Sequence, residues 1–225
     1  MSAAIGDLLP LAVAVAISPI AVIALVLILL SRRATSNGPA YLLGWIVGLA
    51  IAVTVTLTLV GLINRTPPSS STTLSSLLKL LIGALLFYLG VRQLRNLRKS
   101  GQEPSLPRWM SSVDSFTPAR AFALAVLLSS VSNLAIIVTA ALTISRANLD
   151  ISQEIIMATI FIMIGSLLVF FTVGYYVLMR ERAAQALAGW KIWLLANNAS
   201  LTAMLFIVIG ALMIGKGISG LNLFG

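Results

Sequence analysis

LLPLAVAVAISPIAVIALVLILL, residues Leu8 to Leu30, is an apolar run interrupted once, at Ser18-Pro19. About 20 apolar residues suffice to cross the hydrocarbon core of a bilayer, so this run reads as a membrane span. Pro19 has no backbone N–H and its ring crowds the preceding turn, so the span must break there. In lipid the carbonyl released by such a break needs another partner: a neighbouring helix, a hydroxyl or a trapped water. Ser18 stands next to it. A second long apolar run, Phe122 to Ile144, carries a weaker interruption at Ser132-Asn133. ISPIA (Ile17 to Ala21) and VSNLA (Val131 to Ala135) share one pattern. Polar interruptions at corresponding depth in two halves of a membrane chain point to a transport site.

Composition agrees with a polytopic membrane protein. Hydrophobic residues make up 59% of the chain and charged residues 9%, with a mean hydropathy of +1.05. Soluble domains are about 45–50% apolar and about 25% charged. There is no cysteine and no histidine, so disulfides, thiol chemistry and the commonest metal ligand and proton relay are excluded. The net charge of +9 does not point to nucleic acid, because the basic residues flank apolar runs, where they set orientation and meet anionic headgroups. The N-terminus lacks Lys or Arg before the apolar run and carries Asp7, so the first span is expected to be retained and not cleaved as a signal peptide.

Six spans are expected, at roughly 8–31, 41–63, 74–97, 119–145, 154–179 and 198–216. The fourth is long enough to tilt or to carry an irregular turn. The expected fold is all-α, two inverted three-helix repeats: residues 1–97, a cytoplasmic surface linker over 98–118, and residues 119–225. Besides the two interruptions, Ser31-Arg32 recurs as Ser145-Arg146 at the ends of spans one and four. The stretches up to Pro39, after Arg65 and over 145–152 read as loops. A short amphipathic piece with Trp190, Lys191 and Trp193 is expected to precede the last span. Thr117-Pro118 reads as a helix start, a capping hydroxyl followed by proline at the first helical position. Eleven Lys and Arg fall on one side of this topology and four on the other, which places both termini outside.

Within this frame Ser18, Pro19, Ser130, Ser132 and Asn133 would form a polar, largely uncharged midplane site. Half-helix N-termini there favour an anion, and freed carbonyls a cation. Arg92 and Arg120 at the cytoplasmic mouth are candidates for gripping an anionic headgroup, although anchoring alone explains each. Gly44 with Gly48, and Gly83 with Gly90, read as close-packing faces, either inside the bundle or in a homodimer. Tyr41 and Trp45 read as members of an interfacial aromatic belt. Trp109 and Met110 are expected to dip into the membrane surface from the linker.

No enzyme is expected and no cofactor or metal is implied. The six carboxylates, Asp7, Glu103, Asp114, Asp150, Glu154 and Glu181, fall at span ends or in loops, so no paired acid site is visible. Serines in apolar helices usually bond back to their own backbone, and no residue is present to activate one. Coupling ions in carriers usually use an intramembrane carboxylate or histidine, for which Asp7 and Glu154 are the nearest candidates.

SP in the first span, GWIVG opening the second (Gly44 to Gly48) and PRWMSSVDSFTPARA (Pro107 to Ala121) together resemble the GAP family, also called the sulfolipid-1-addressing protein family, of the lysine exporter (LysE) superfamily. The resemblance covers nearly the whole chain. It implies a six-helix bacterial inner-membrane protein linked to moving glycolipids toward the cell surface; other superfamily members export amino acids or metal ions. Where the family often shows NPKN in the fourth span, this chain has Ser130, Val131, Ser132 and Asn133, so the intramembrane lysine is missing.

Three functions are compatible with these readings. One is an exporter of a lipid, glycolipid or other small amphiphile working by alternating access around broken spans one and four. A second is a small-solute or ion exporter. A third is a non-transporting partner of a glycolipid export machine, acting through the 98–118 segment. The expected partners are therefore membrane lipids and an amphiphilic substrate.

Overall fold

The computed structural model describes residues 2–64, 68–100, 113, 115–147 and 149–221. They form seven helices: α1 (Ser2–Ala16), α2 (Pro19–Leu29), α3 (Ala34–Asn64), α4 (Pro68–Ser100), α5 (Pro118–Val131), α6 (Leu134–Ser145) and α7 (Ile151–Gly220). Three helices are long and apolar enough to cross a membrane, and five spans result if α1–α2 and α5–α6 each count as one bent span. Most of the 98–118 segment, with Glu103, Arg108, Trp109, Met110 and Asp114, lies outside the described residues. So do Arg65 and the side chains of Lys79, Arg98, Lys99 and Lys216.

Both interruptions read in the sequence are helix breaks. α1 and α2 meet at 45°, and α5 and α6 at 60°. The same offset in sequence relates Ser18 to Ser132 and Ser31 to Ser145, so breaks and span ends stand in one register. Thr117 caps α5 as expected: its Oγ1 accepts the Arg120 amide at 3.4 Å, with Pro118 at the first helical position.

Several loops are shorter than expected. α3 begins at Ala34 and runs through Pro39, its sixth residue, where the missing amide removes the helix bond to the Thr35 carbonyl. α4 begins at Pro68, in the stretch read as a loop. α7 continues through the Trp190–Trp193 segment, and the whole helix is 70 residues long. At roughly 1.5 Å per residue a straight rod of that length would far exceed a bilayer. It is not straight. Arg180 has φ 31° and ψ −92°, a non-glycine residue at positive φ, and the chain turns there. Its two limbs, 151–179 and 181–220, face each other across a cavity of about 340 Å³ lined by Leu168, Phe171, Tyr175, Leu187 and Trp190 among others.

The core is built around α2. It is apolar all round, and Ala21 to Val26 are buried without interruption, as expected of a helix enclosed by others. α3 packs along α5 and the second limb of α7 along α4, both through glycine. A Cβ on Gly44 would lie 2.9 Å from the Phe122 Cα, and on Gly48 2.8 Å from the Val126 Cα. On Gly83 it would meet the Gly210 carbonyl at 2.9 Å, and on Gly90 the Ala203 carbonyl at 2.8 Å. These glycines let backbones approach where any side chain would hold them apart. Large apolar side chains on the outward faces, Leu81, Leu85, Phe171 and Leu178 among them, are exposed. That pattern fits an integral membrane protein whose perimeter meets lipid.

Candidate functional site at two helix breaks

The first break is satisfied by backbone. Pro19 cannot bond back to Val15, and the Ser18 amide turns to the Val15 carbonyl instead, at 3.2 Å. The partner expected from the Ser18 hydroxyl is therefore supplied by its N–H. Ser18 has φ −53° and ψ 110°, the extended conformation that a following proline imposes. Both residues are buried, and the Ser18 side chain makes no capping bond to α2.

The second break is held by side chains. Asn133 is buried, and its Nδ2 donates to the carbonyls of Leu128 (3.3 Å) and Ser129 (3.2 Å), closing the C-terminal end of α5. The Ser132 hydroxyl also donates to the Leu128 carbonyl, although its residue is otherwise exposed. The Ser130 hydroxyl donates to Val126 O at 2.7 Å and reaches across to Gly48 O at 3.3 Å. Three of the predicted polar residues thus spend their protons on backbone carbonyls, the ordinary behaviour of hydroxyls and amides in apolar helices. Asn133 makes no cap to α6, so α2 and α6 both begin without a side-chain cap.

α1 packs on α6 and α2 on α5. In that pairing the two bent spans run antiparallel and their breaks come to one level. Arg92 and Arg120 lie elsewhere. Arg92 is exposed near the end of α4 and Arg120 in the first turn of α5, and neither is among the residues that form the breaks. Partial burial at the end of α6 lowers the pKa of Arg146 from its ordinary value.

Trp45 is the main correction to the sequence reading. It is not at a headgroup surface: it is fully buried, stacks on Tyr41 at 6.3 Å between ring centroids, and donates from Nε1 to the Gly165 carbonyl at 3.1 Å. Tyr41 is equally buried and donates to the Ala21 carbonyl at 2.8 Å, two residues beyond the first break. The pair clamps α3 to both α2 and α7. A polar tip on a buried ring needs such a partner. The available signal was the spacing of Tyr41, Trp45 and Leu49, one residue per turn on the face opposite lipid.

Asn37 was also missed. It is wholly buried, its Nδ2 donates to the Phe116 carbonyl at 2.9 Å, and its Oδ1 has no partner among the described residues. It pins the approach to α5 against the start of α3, where Val113 is buried too.

Two open cavities lie away from the breaks. One, about 830 Å³, separates Asp7 on α1 from Ile207, Ala211 and Ser219 on the second limb of α7. The other, about 530 Å³, lies between the ends of α3 and α7 and holds Glu154. Among the described residues no three acidic, His or Cys side chains gather as a metal site would require.

No match is found among curated proteins or among solved structures. The sulfolipid-1-addressing protein (Sap) family model matches residues 8–219, which takes in α2 to α6 whole, most of α1 and α7, both breaks and the Tyr41–Trp45 clamp, and the chain belongs to that family.

Proposed function

We propose that the chain is a carrier that moves a lipid or similar amphiphile across the bacterial inner membrane by alternating access about its two broken spans. Counting the limbs of α7 separately gives six spans, in two inverted halves of three. The observation that carries this reading is the exchange symmetry of the packing. The second span packs parallel on the fourth, through Gly48 against Val126 and Ser129, and the fifth packs on the first, through Gly165 against Val15. Val15 and Ser129 each stand three residues before the serine of their break. The third and sixth pack on each other. Two halves related in this way can rock about a shared centre, which is how inverted repeats alternate access.

The breaks supply that centre. Uncapped amides at the starts of α2 and α6 present donors, and bent-helix carbonyls present acceptors, to a polar head passing between them. The family's name, sulfolipid-1-addressing, supports lipid as the cargo class.

Mass spectrometry of lipid bound to the detergent-extracted protein tests the reading, with wild type beside Ser18→Ala and Asn133→Leu. The expected result is one defined amphiphile enriched on wild type and reduced about tenfold on at least one variant, the effect of losing about one hydrogen bond's worth of affinity. Bulk lipid in equal amounts on all three would sink the proposal.

A further inference from the structure

α3 and the first limb of α7 run antiparallel but touch along only part of their shared length. At one end a Cβ on Gly38 would be 3.8 Å from Val173, Trp45 bonds Gly165, and Leu49 lies against the same glycine at 3.5 Å from its Cβ position. Beyond Leu49 the helices part. The end of α3 leans onto α6 through Val60, which clusters with Ala141 and Leu142. The space left is the cavity of about 530 Å³ lined by Thr54, Thr58, Gly61, Glu154, Ala158 and Thr159 among others.

Acceptors predominate in the lining, with the Thr54 hydroxyl able to donate as well as accept. The Thr58 hydroxyl donates to Thr54 O at 2.8 Å and the Thr159 hydroxyl to Ile155 O at 2.8 Å, so both protons are committed and both oxygens offer lone pairs. Glu154, half-buried, adds a carboxylate, which accepts only. Leu57, Leu62, Ile155 and Ile162 complete apolar walls. A crevice rich in acceptors, with one negative charge and hydrocarbon walls, fits an ammonium group carried on an alkyl chain.

We propose that this crevice is the open mouth of the substrate path, closed at its far end by the Tyr41–Trp45 clamp, and that it takes the primary-ammonium head of an amphiphile with Glu154 as counter-ion. This rests on the carrier reading above and adds to it the path and the head chemistry.

The chain has no cysteine, so an introduced thiol is the sole one. Thr58→Cys reports the crevice. Ser152→Cys, exposed on the first turn of α7 and outside the lining, reports the same face of the protein. Both are reconstituted in phosphatidylcholine vesicles and labelled with a neutral, membrane-impermeant polyethylene glycol maleimide. Dodecylamine, dodecanol or dodecanoate is added in turn. Thr58→Cys is expected to label in the absence of amphiphile. With dodecylamine its rate relative to Ser152→Cys falls about tenfold, the range of a charge-assisted hydrogen bond, and Glu154→Gln removes the effect. Failure of Thr58→Cys to label overturns the open mouth. Equal slowing by dodecanol, or stronger slowing by dodecanoate, overturns the ammonium assignment. Either failure alongside a cargo still lost on Ser18→Ala or Asn133→Leu counts against the crevice and leaves the carrier reading standing. Protection by dodecylamine with no cargo at the breaks does the reverse.

Discussion

The Trp45 indole N–H donates to the Gly165 carbonyl at 3.1 Å, fastening the middle of α3 to the middle of the first limb of α7. Replacing Trp45 by Leu removes that bond and leaves a cavity, at a cost of roughly 2–4 kcal/mol. Trp193, exposed on the second limb, should tolerate the same change within about 0.5 kcal/mol. Thermal unfolding in detergent separates them. An interfacial anchor at Trp45 would instead give two small and similar shifts.

Gly48→Ala places a Cβ 2.8 Å from the Val126 Cα, so α3 and α5 must separate. Overpacking of this kind costs about 1–3 kcal/mol. Gly174→Ala meets nothing within 4 Å and should be neutral or stabilising by about 0.5–1 kcal/mol, since alanine is the better helix former. Opposite signs in melting temperature are the expected outcome.

At the second break, Asn133→Ala strips partners from Leu128 O and Ser129 O inside the bundle, for a loss of roughly 1–3 kcal/mol. Ser132→Ala removes a bond made at an exposed residue to a carbonyl that Asn133 also serves, and should shift stability by less than about 0.5 kcal/mol. Equal losses would show that the amide is not what holds the bend.

Asn37→Ala should loosen the approach to α5. Its bond to Phe116 O is the described polar tie between α3 and that stretch, so hydrogen exchange at the Phe116 amide, itself bonded to Val113 O at 3.0 Å, should quicken about tenfold. An unchanged rate would mean that burial of Val113 alone holds the segment.

How far the chain could be read in advance depends on whether a feature has a local cause. Pro19 breaks a helix through its own ring, and Thr117-Pro118 starts one through its own hydroxyl, so both were visible in a few residues. The break at Asn133 has no proline and was visible only by comparison with Ile17 to Ala21. Trp45 was misplaced because belt and core use the same ring, and only a distant carbonyl on Gly165 decides between them. The expected end of the fifth span at 179 falls beside Arg180, but the turn itself gave no signal: nothing in its neighbours demands positive φ, and it follows from two limbs each having somewhere to pack. The crevice at Glu154 was invisible for a related reason, since it exists where α3 leaves α7 for α6.

Gly83 and Gly210 face each other backbone to backbone, with Gly90 and Gly217 continuing the seam along α4 and the second limb of α7. Sliding α4 by a single residue would bring Ile82 or Ala84 to the place of Gly83 and Leu89 or Val91 to that of Gly90, into the space that glycine leaves free. The seam therefore has one register and no neighbouring one to move to. On the carrier reading proposed above, these two helices are the frame, and motion belongs to the bent spans and to the part of α3 that has already let go of α7.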